Sequence, residues 1–178
     1  MRFKRNNSKK WRPWKTKTKS VNGYFPGKAG STYYFKVTAW DGAGNSNTSK
    51  KKRTIVPYNE NQLVLKRSGF KKTFSGAKSR YYKNSVRYST ARGDSITYRF
   101  KGKRVSLVST RGPNRSKAKV YVDGRYIKTI NAFSSKTRVR KILFSKRWRK
   151  TGTHSIKIVN QKTRGRGSFD IDGLAVGK

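Results

Sequence analysis

The chain has 178 residues, with 47 Lys and Arg against 6 Asp and Glu, one His and no Cys, so its formal charge is +41 at pH 7. Hydrophobic residues make up 32% and aromatic residues 13% of the chain, which is enough apolar material for a folded core and excludes a simple disordered polybasic tail. The lack of Cys excludes disulfides and thiolate chemistry, and a single His excludes the usual histidine metal clusters. We therefore predict no cofactor and no metal site.

The hydrophobic pattern has a period of two along nearly the whole chain, which is typical of β-strands. In chain order, strands are predicted at residues 32–39, 50–56, 96–100, 104–109, 118–122, 126–131, 138–144, 154–159 and 169–176. Turn-forming residues separate them at 101–103, 111–114, 123–124, 151–153 and 164–167. Since no segment has the pattern of an amphipathic helix or of a membrane span, we predict an all-β, antiparallel sandwich.

The hairpin predicted around Asp123 and Gly124 has the strongest local pattern, because Asp-Gly between two apolar alternations favours a two-residue turn. A domain boundary is predicted near Val56-Pro57, where a Gly- and Asn-rich region gives way to the longer second half. We expect a basic, disordered N-terminus at residues 1–13, a first folded segment at 14–57 and a sandwich at 61–178.

The first folded segment contains Pro26-Gly27, the alternation Tyr33-x-Phe-x-Val-x-Ala39, the turn Asp41-Gly-Ala-Gly-Asn45 and Val56-Pro57. These residues resemble the C-terminal half of a fibronectin type III domain. The resemblance implies that Tyr33 forms a tyrosine corner, in which its hydroxyl bonds to nearby backbone. Because such a domain needs about 100 residues, we expect the chain to be a fragment of a longer protein or to have a partly ordered N-terminal part.

Residues 61–178 carry a second set of stretches in order: 81–82, 85–89, 93–100, 105–108, 111–113, 120–124, 152–156 and 170–174. They resemble a galactose-binding-like jelly roll, similar to carbohydrate-binding modules appended to fibronectin-like domains in large secreted bacterial proteins. The resemblance implies an extracellular or cell-surface location, although the basic start of this chain is followed by no apolar leader segment. The same fold hosts sugar-binding, peptide-binding and structural modules, so fold alone does not decide function.

The residues that could be catalytic or bind a cation are better explained by structural roles. His154 has no second His or Cys to work with, so we predict a structural role. Asp170 and Asp172 are spaced to share a proton or a cation, but a bulge or turn role is favoured for Asp172, where the apolar phase shifts. Asp123 and Gly124 are turn formers. With the six acids largely accounted for by turns, we predict that the protein is not an enzyme.

Cations interleaved with aromatic rings give the strongest indication of a ligand. Trp148 lies within Ser145-Lys-Arg-Trp-Arg-Lys150, and two further arginines lie in a Gly-rich loop. A ring can stack on a sugar while the cations hold carboxylate, sulfate or phosphate. The predicted ligand-binding residues are Lys146, Arg147, Trp148, Arg149, Lys150, Arg164 and Arg166. The alternative is that Trp148 closes the core and its neighbours form a solvated face.

These observations predict a monomeric, non-catalytic, extracellular accessory or adhesion module that binds an acidic polysaccharide or another polyanion. The first alternative is a nucleic-acid-binding basic protein, and non-specific, salt-sensitive binding to nucleic acid is expected in any case. The second is a structural spacer without a specific ligand, whose charge reflects compositional bias or deliberate supercharging.

Overall fold

The computed structural model describes residues 1–20, 23–74 and 81–178, which consist mainly of antiparallel strands and connecting turns. The chain divides into two compact units, Met1–Val56 and Pro57–Lys178. The all-β, antiparallel class predicted from the period-two pattern is confirmed. Among the described residues, no helix is long and apolar enough to cross a membrane.

Unit 1 contains a four-stranded sheet in the order β2-β1-β3-β6 and a separate two-stranded hairpin, β4-β5. The strands are β1 Arg2–Arg5, β2 Arg12–Pro13, β3 Thr32–Lys36, β4 Thr38–Trp40, β5 Ser46–Thr48 and β6 Lys52–Ile55. This differs from the disorder expected for residues 1–13, since β1 pairs with β3 along its whole length. The physical reason is Phe3, which faces Phe35 across the two strands and joins an aromatic cluster.

The core of unit 1 is made of aromatic rings from one face of the sheet and from the preceding loop: Phe3, Trp14, Phe25, Tyr33 and Phe35. The Tyr33 hydroxyl accepts a hydrogen bond from the backbone N–H of Lys28, five residues upstream, at 3.2 Å. The sequence pattern placed Val37 on the inward-facing side of this strand together with Tyr33 and Phe35. In the structure Val37 is 38% exposed, because β3 ends one residue earlier.

Unit 2 is a sandwich of a three-stranded sheet, β15-β10-β9, and a seven-stranded sheet, β13-β12-β14-β11-β16-β7 with β8 also paired to β11. A three-residue 3₁₀ turn, Tyr82–Asn84, precedes β10. The strands are β7 Tyr58–Asn59, β8 Val64–Ser68, β9 Lys71–Phe74, β10 Ser85–Ser89, β11 Ser95–Arg111, β12 Lys117–Val122, β13 Arg125–Asn131, β14 Arg138–Asn160, β15 Phe169–Ile171 and β16 Gly173–Gly177.

The core of unit 2 lies between these two sheets and is formed by every second residue of the strands. Its fully buried members include Ile96, Tyr98, Leu107, Val120, Ile156, Ile158, Phe169 and Ile171. The predicted alternation along residues 96–100 and 118–122 is therefore confirmed, with apolar groups buried and the intervening residues either exposed or half-buried.

Two predicted turns, at residues 101–103 and 151–153, are instead parts of the long strands β11 and β14, in which Gly102 pairs with Gly152. A Cβ at Gly102 would lie 2.7 Å from Cγ1 of Val176 and 2.8 Å from the carbonyl oxygen of Gly177. Glycine is therefore required here for close approach of β16, not for a turn.

The same strand pair contains a large bulge. Its register jumps from Gly102 opposite Gly152 to Arg104 opposite Arg147, so residues 148–151 face Lys103 alone and are pushed out of the ladder. By contrast, Asp123 and Gly124 form the predicted two-residue hairpin turn, with φ of 51° and 80°, as a type I′ turn requires.

Candidate functional site

The β11–β14 bulge brings basic residues of two paired strands near one another in the strand register, in the segment that contains Trp148. We define the bulge cluster as Lys101, Lys103, Arg104, Lys146, Arg147, Trp148, Arg149 and Lys150. Sequence reasoning identified the five residues from β14 but missed the three from β11, because residues 101–103 had the composition of a turn. The matched glycines of the two segments, Gly102 between lysines and Gly152 between threonines, were the only indication that the segments pair.

The Trp148 ring is half-buried and held by other rings. It stacks on His154 with the ring centroids 3.9 Å apart and an interplanar angle of 17°. The ring of Phe100 meets it edge-on at 5.9 Å, and Nζ of Lys146 lies 5.7 Å from its centroid. One ring face is thus covered by His154, and Lys146 is the cation of the bulge cluster that lies near the ring.

His154 is fixed by the hairpin turn of the neighbouring strands. Its Nδ1 lies 2.8 Å from Oδ2 of Asp123, while Oδ1 of the same carboxylate accepts a hydrogen bond from the N–H of Ser155 at 2.7 Å. The other ring nitrogen, Nε2, is buried without a hydrogen-bond partner among the described residues. The predicted structural residues Asp123, Gly124 and His154 therefore lie together, next to Trp148.

The charge of the bulge cluster is uncompensated. Arg104 and Arg147 lie directly opposite each other across the strand pair, an arrangement in which like charges repel. The ion pairs of the described residues are Lys72–Glu60, Arg115–Asp170 and His154–Asp123, none of which involves a cation of the cluster. An anionic ligand would relieve this repulsion.

A shallow depression of about 400 Å³ adjoins the cluster at Lys101. Its walls come from Leu63 and the first two residues of β8, residues 99–101 of β11 and Thr153 of β14. Leu65 is 58% exposed there, so an apolar floor has cationic groups at its rim. Such a combination suits a sugar ring that carries an acidic substituent.

Arg164 and Arg166 lie on the loop between β14 and β15. The guanidinium of Arg166 lies over the ring of Phe133 at 4.8 Å and its Nη1 is 3.5 Å from Oδ1 of Asn131. The straight part of β14 from Gly152 to Asn160 separates this loop from the bulge, a span of about 26 Å at the usual rise per residue. The structure therefore places the predicted ligand-binding residues in two regions.

Three of the six acids are buried, and two of these lie outside turns, Asp170 in β15 and Asp172 between β15 and β16, contrary to the expectation that turns largely account for the acids. Glu60, Asp170 and Asp172 are each at most 1% exposed. Oε1 of Glu60 accepts a hydrogen bond from the Ser85 hydroxyl at 3.0 Å. Nothing in the sequence indicated that Glu60 would be buried, since this residue follows a Tyr-Asn pair that is typical of a loop.

Asp170 and Asp172 have different partners. Oδ2 of Asp170 is 2.8 Å from Nε of Arg115, and its Oδ1 accepts a hydrogen bond from the N–H of Thr110. Oδ1 of Asp172 accepts a hydrogen bond from the N–H of Tyr82 at 2.7 Å. Burial raises the pKa of Asp172 to about 6, although that hydrogen bond opposes the shift.

Asp172 also lies where the chain passes from β15 in one sheet to β16 in the other, which is the position of the predicted phase shift. Within the described ranges, no group of three or more His, Asp or Glu side chains is arranged to hold a metal ion. The buried acids thus serve contacts with backbone and side chains of unit 2.

Comparisons with known proteins show similarity of fold. No protein-family model and no curated protein matches this sequence. A two-domain esterase active on acetylated mannans has a TM-score of 0.53 at 16% identity, over 69% of this chain and 36% of that chain. A Paenibacillus xanthan lyase has a TM-score of 0.52 at 9% identity, over 83% of this chain and 19% of that one.

A third similar structure is a Paenibacillus sp. cycloisomaltooligosaccharide glucanotransferase, with a TM-score of 0.50 at 17% identity, over 67% of this chain and 18% of that chain. In each case the chain spans well under two thirds of the other protein. At these identities the likeness shows a shared β-sandwich fold and no more.

Proposed function

We propose that unit 2 is a non-catalytic module that binds an acidic polysaccharide, with the bulge cluster as its main contact surface and Arg164 and Arg166 as a second one. The observation that carries the proposal is the uncompensated charge of the bulge cluster, whose basic residues lie on paired strands and have no ion-pair partner among the described residues. Carboxylate or sulfate groups supply the anions that the cluster lacks, and charge-assisted hydrogen bonds from Arg are stronger than neutral ones.

The similar structures support a carbohydrate ligand. All three are named for activity on carbohydrates: acetylated mannans, xanthan and cycloisomaltooligosaccharide. A fold shared with parts of such enzymes suits an accessory module in a larger carbohydrate-active protein. An extracellular or cell-surface location follows from the same reasoning and remains part of the proposal.

The placement of the acids supports a non-catalytic role. A glycosidase needs two carboxyl groups that reach the substrate on either side of the bond to be cleaved. Here Asp170 and Asp172 are buried and bonded to Arg115 and to the backbone of unit 2. Asp123 is bonded to His154 and to the backbone at a hairpin turn.

The proposal includes the domain organisation: a fibronectin-type-III-like segment at residues 14–57 followed by a jelly roll at 61–178. The hydrogen bond from the Lys28 N–H to the Tyr33 hydroxyl supports the first part, because a tyrosine corner bonds to backbone a few residues upstream.

The test is a salt titration of the full chain on three immobilised polymers: duplex DNA, a sulfated or uronic-acid glycan and a neutral polysaccharide. We expect the acidic glycan to stay bound near 0.5 M salt, where the Debye length is about 4 Å, while DNA elutes. The triple variant Arg147→Gln/Arg149→Gln/Lys150→Gln should weaken glycan binding by about tenfold. A matched control with the same loss of charge is Lys128→Gln/Lys136→Gln/Arg138→Gln, at exposed positions outside the cluster.

Equal effects of the two triple variants, or elution of both acidic polymers at the same salt, would show that the charge is a generic surface property. Longest retention of DNA would favour the nucleic-acid alternative. Trp148→Ala should reduce glycan binding with little loss of thermal stability. Equal losses of binding and stability would assign the ring to the core alone, as its contacts with Phe100 and His154 would allow.

A further inference from the structure

Unit 1 has a basic surface of its own, on the sheet face opposite its aromatic core. The strand register puts Lys4 opposite Tyr34 and Tyr34 opposite Arg53, while Arg2 lies opposite Lys36. Residues between these on the same strands face the aromatic core. We define the unit 1 basic face as Arg2, Lys4, Trp11, Tyr34, Lys36, Lys51 and Arg53.

Two rings hold the ammonium groups of this face in place. Nζ of Lys36 lies 4.8 Å from the ring centroid of Trp11, and Nζ of Lys4 lies 5.6 Å from it. Nζ of Lys4 and Nζ of Lys51 lie 5.9 Å and 5.8 Å from the ring of Tyr34. Because these cation–π contacts restrict flexible side chains before a ligand arrives, less entropy is lost on binding.

The charge of this face is also uncompensated. Asp41 is the only acid in residues 1–56, and its carboxylate accepts hydrogen bonds from the N–H groups of Ala43 and Asn45 at 3.0 and 2.8 Å. Hydrogen bonds from Asn45 lower the pKa of Asp41, which is thus held as an anion within its own turn. No cation of the face forms an ion pair with any described residue.

We infer that the unit 1 basic face is a further binding surface for an anionic polysaccharide, formed separately from the two contact surfaces proposed for unit 2. The sheet sets its cations at intervals of about 5 to 7 Å, from the spacing between strands and between alternate residues of a strand. A linear polymer with carboxylate or sulfate groups along its length can contact several of them at once.

The contacts favour a polysaccharide over a single-stranded nucleic acid. Sequence-tolerant binding of single strands relies on bases that stack on open aromatic faces. Here Lys4 and Lys36 lie over Trp11, and Lys4 and Lys51 lie over Tyr34. A base would have to displace these ammonium groups to stack, whereas a sulfate or carboxylate binds to them where they lie.

The test compares two triple variants of the full chain with equal loss of charge. Lys4→Gln/Lys36→Gln/Lys51→Gln alters the face, and Lys9→Gln/Lys10→Gln/Lys19→Gln alters exposed lysines elsewhere in unit 1. Heparin, an alginate and a single-stranded oligothymidylate are the probes, measured at 0.15 M salt and in a salt series. Circular dichroism in the aromatic region reports whether the unit 1 core persists.

We expect the face variant to lose about tenfold in affinity for heparin or alginate, with a shallower salt dependence, while the control loses about twofold. Lys4→Arg/Lys36→Arg/Lys51→Arg should restore binding, since it retains the charges. Equal losses in face and control variants, or a larger loss for the oligothymidylate than for both glycans, would overturn the inference. The face variant is also measured in the Arg147→Gln/Arg149→Gln/Lys150→Gln background, which separates the unit 1 basic face from the bulge cluster. If only the Arg147→Gln/Arg149→Gln/Lys150→Gln substitutions lower the affinity, unit 2 alone binds the polysaccharide.

Discussion

Asp172→Asn should flatten the pH dependence of the stability of unit 2. The Asp172 carboxyl is buried, its pKa is raised from 3.8 to about 6, and its Oδ2 has no hydrogen-bond partner among the described residues. Between about pH 4 and pH 6 the folded protein keeps this carboxyl protonated while the unfolded chain does not. Stability therefore falls as pH rises through this window and is constant above it. Asparagine keeps the oxygen that accepts the Tyr82 N–H but has no charge to bury.

A shift of about 2 pKa units corresponds to about 3 kcal/mol, reached only when the whole window is crossed. Between pH 4.5 and 7.5 the wild-type protein crosses part of it, which gives about 2 kcal/mol. Relaxation of the protein around a buried charge lowers its cost, so we expect a change of about 1 kcal/mol.

The assay is urea unfolding at pH 4.5 and 7.5 for wild type and variant, with two transitions fitted because the chain has two units. The quantity compared is the change in unfolding free energy between the two pH values, so pH-independent costs of the substitution cancel. If Asp172→Asn keeps the full wild-type change, another group titrates in this window and the reasoning from burial is refuted.

Three further predictions concern stability, each measured by urea unfolding at pH 7.5. Asp170→Asn should destabilise unit 2 by about 3 kcal/mol, since it leaves the Arg115 guanidinium without its buried partner; a loss below 1 kcal/mol would contradict this. Gly102→Ala should cost about 2 kcal/mol through its clash with β16, whereas Gly167→Ala, with its nearest contact at 3.7 Å, should cost little; equal costs would count against the packing argument. Gly124→Ala should cost about 1 kcal/mol because its φ is 80°, and a neutral result would show that the hairpin turn relaxes.

Local patterns were sufficient to predict the strands of unit 2 from β11 onward, because a half-buried sheet imposes a period of two on its own sequence. The shorter strands β7 to β10 were not among the predicted strands. The Asp123-Gly124 turn could be predicted for the same local reason, since few residue pairs adopt positive φ at both positions. The glycines at 102 and 152 could not be assigned in this way. A glycine in a sequence can indicate either a turn or a place where another strand approaches the backbone closely. Only the position of β16 beside Gly102 shows that the second explanation applies here.

The candidate site was predictable in part. The segment from Lys146 to Lys150 could be identified as basic and aromatic from the sequence, whereas its partners Lys101, Lys103 and Arg104 join it only through the register of β11 and β14. Likewise, Arg164 and Arg166 have the same composition as the cluster, but the length of β14 places them elsewhere.

The sequence by itself determined the all-β class, the sign and density of the surface charge and the absence of thiol chemistry, because these depend on composition and on patterns within one strand. Tertiary structure alone decided which cations lie together, which carboxylates are buried and which aromatic rings are in a core. In unit 1 it placed Trp14 in the aromatic core and Trp11 on the opposite, basic face. These properties depend on contacts between residues far apart in the chain, and such contacts leave no periodic trace in the sequence.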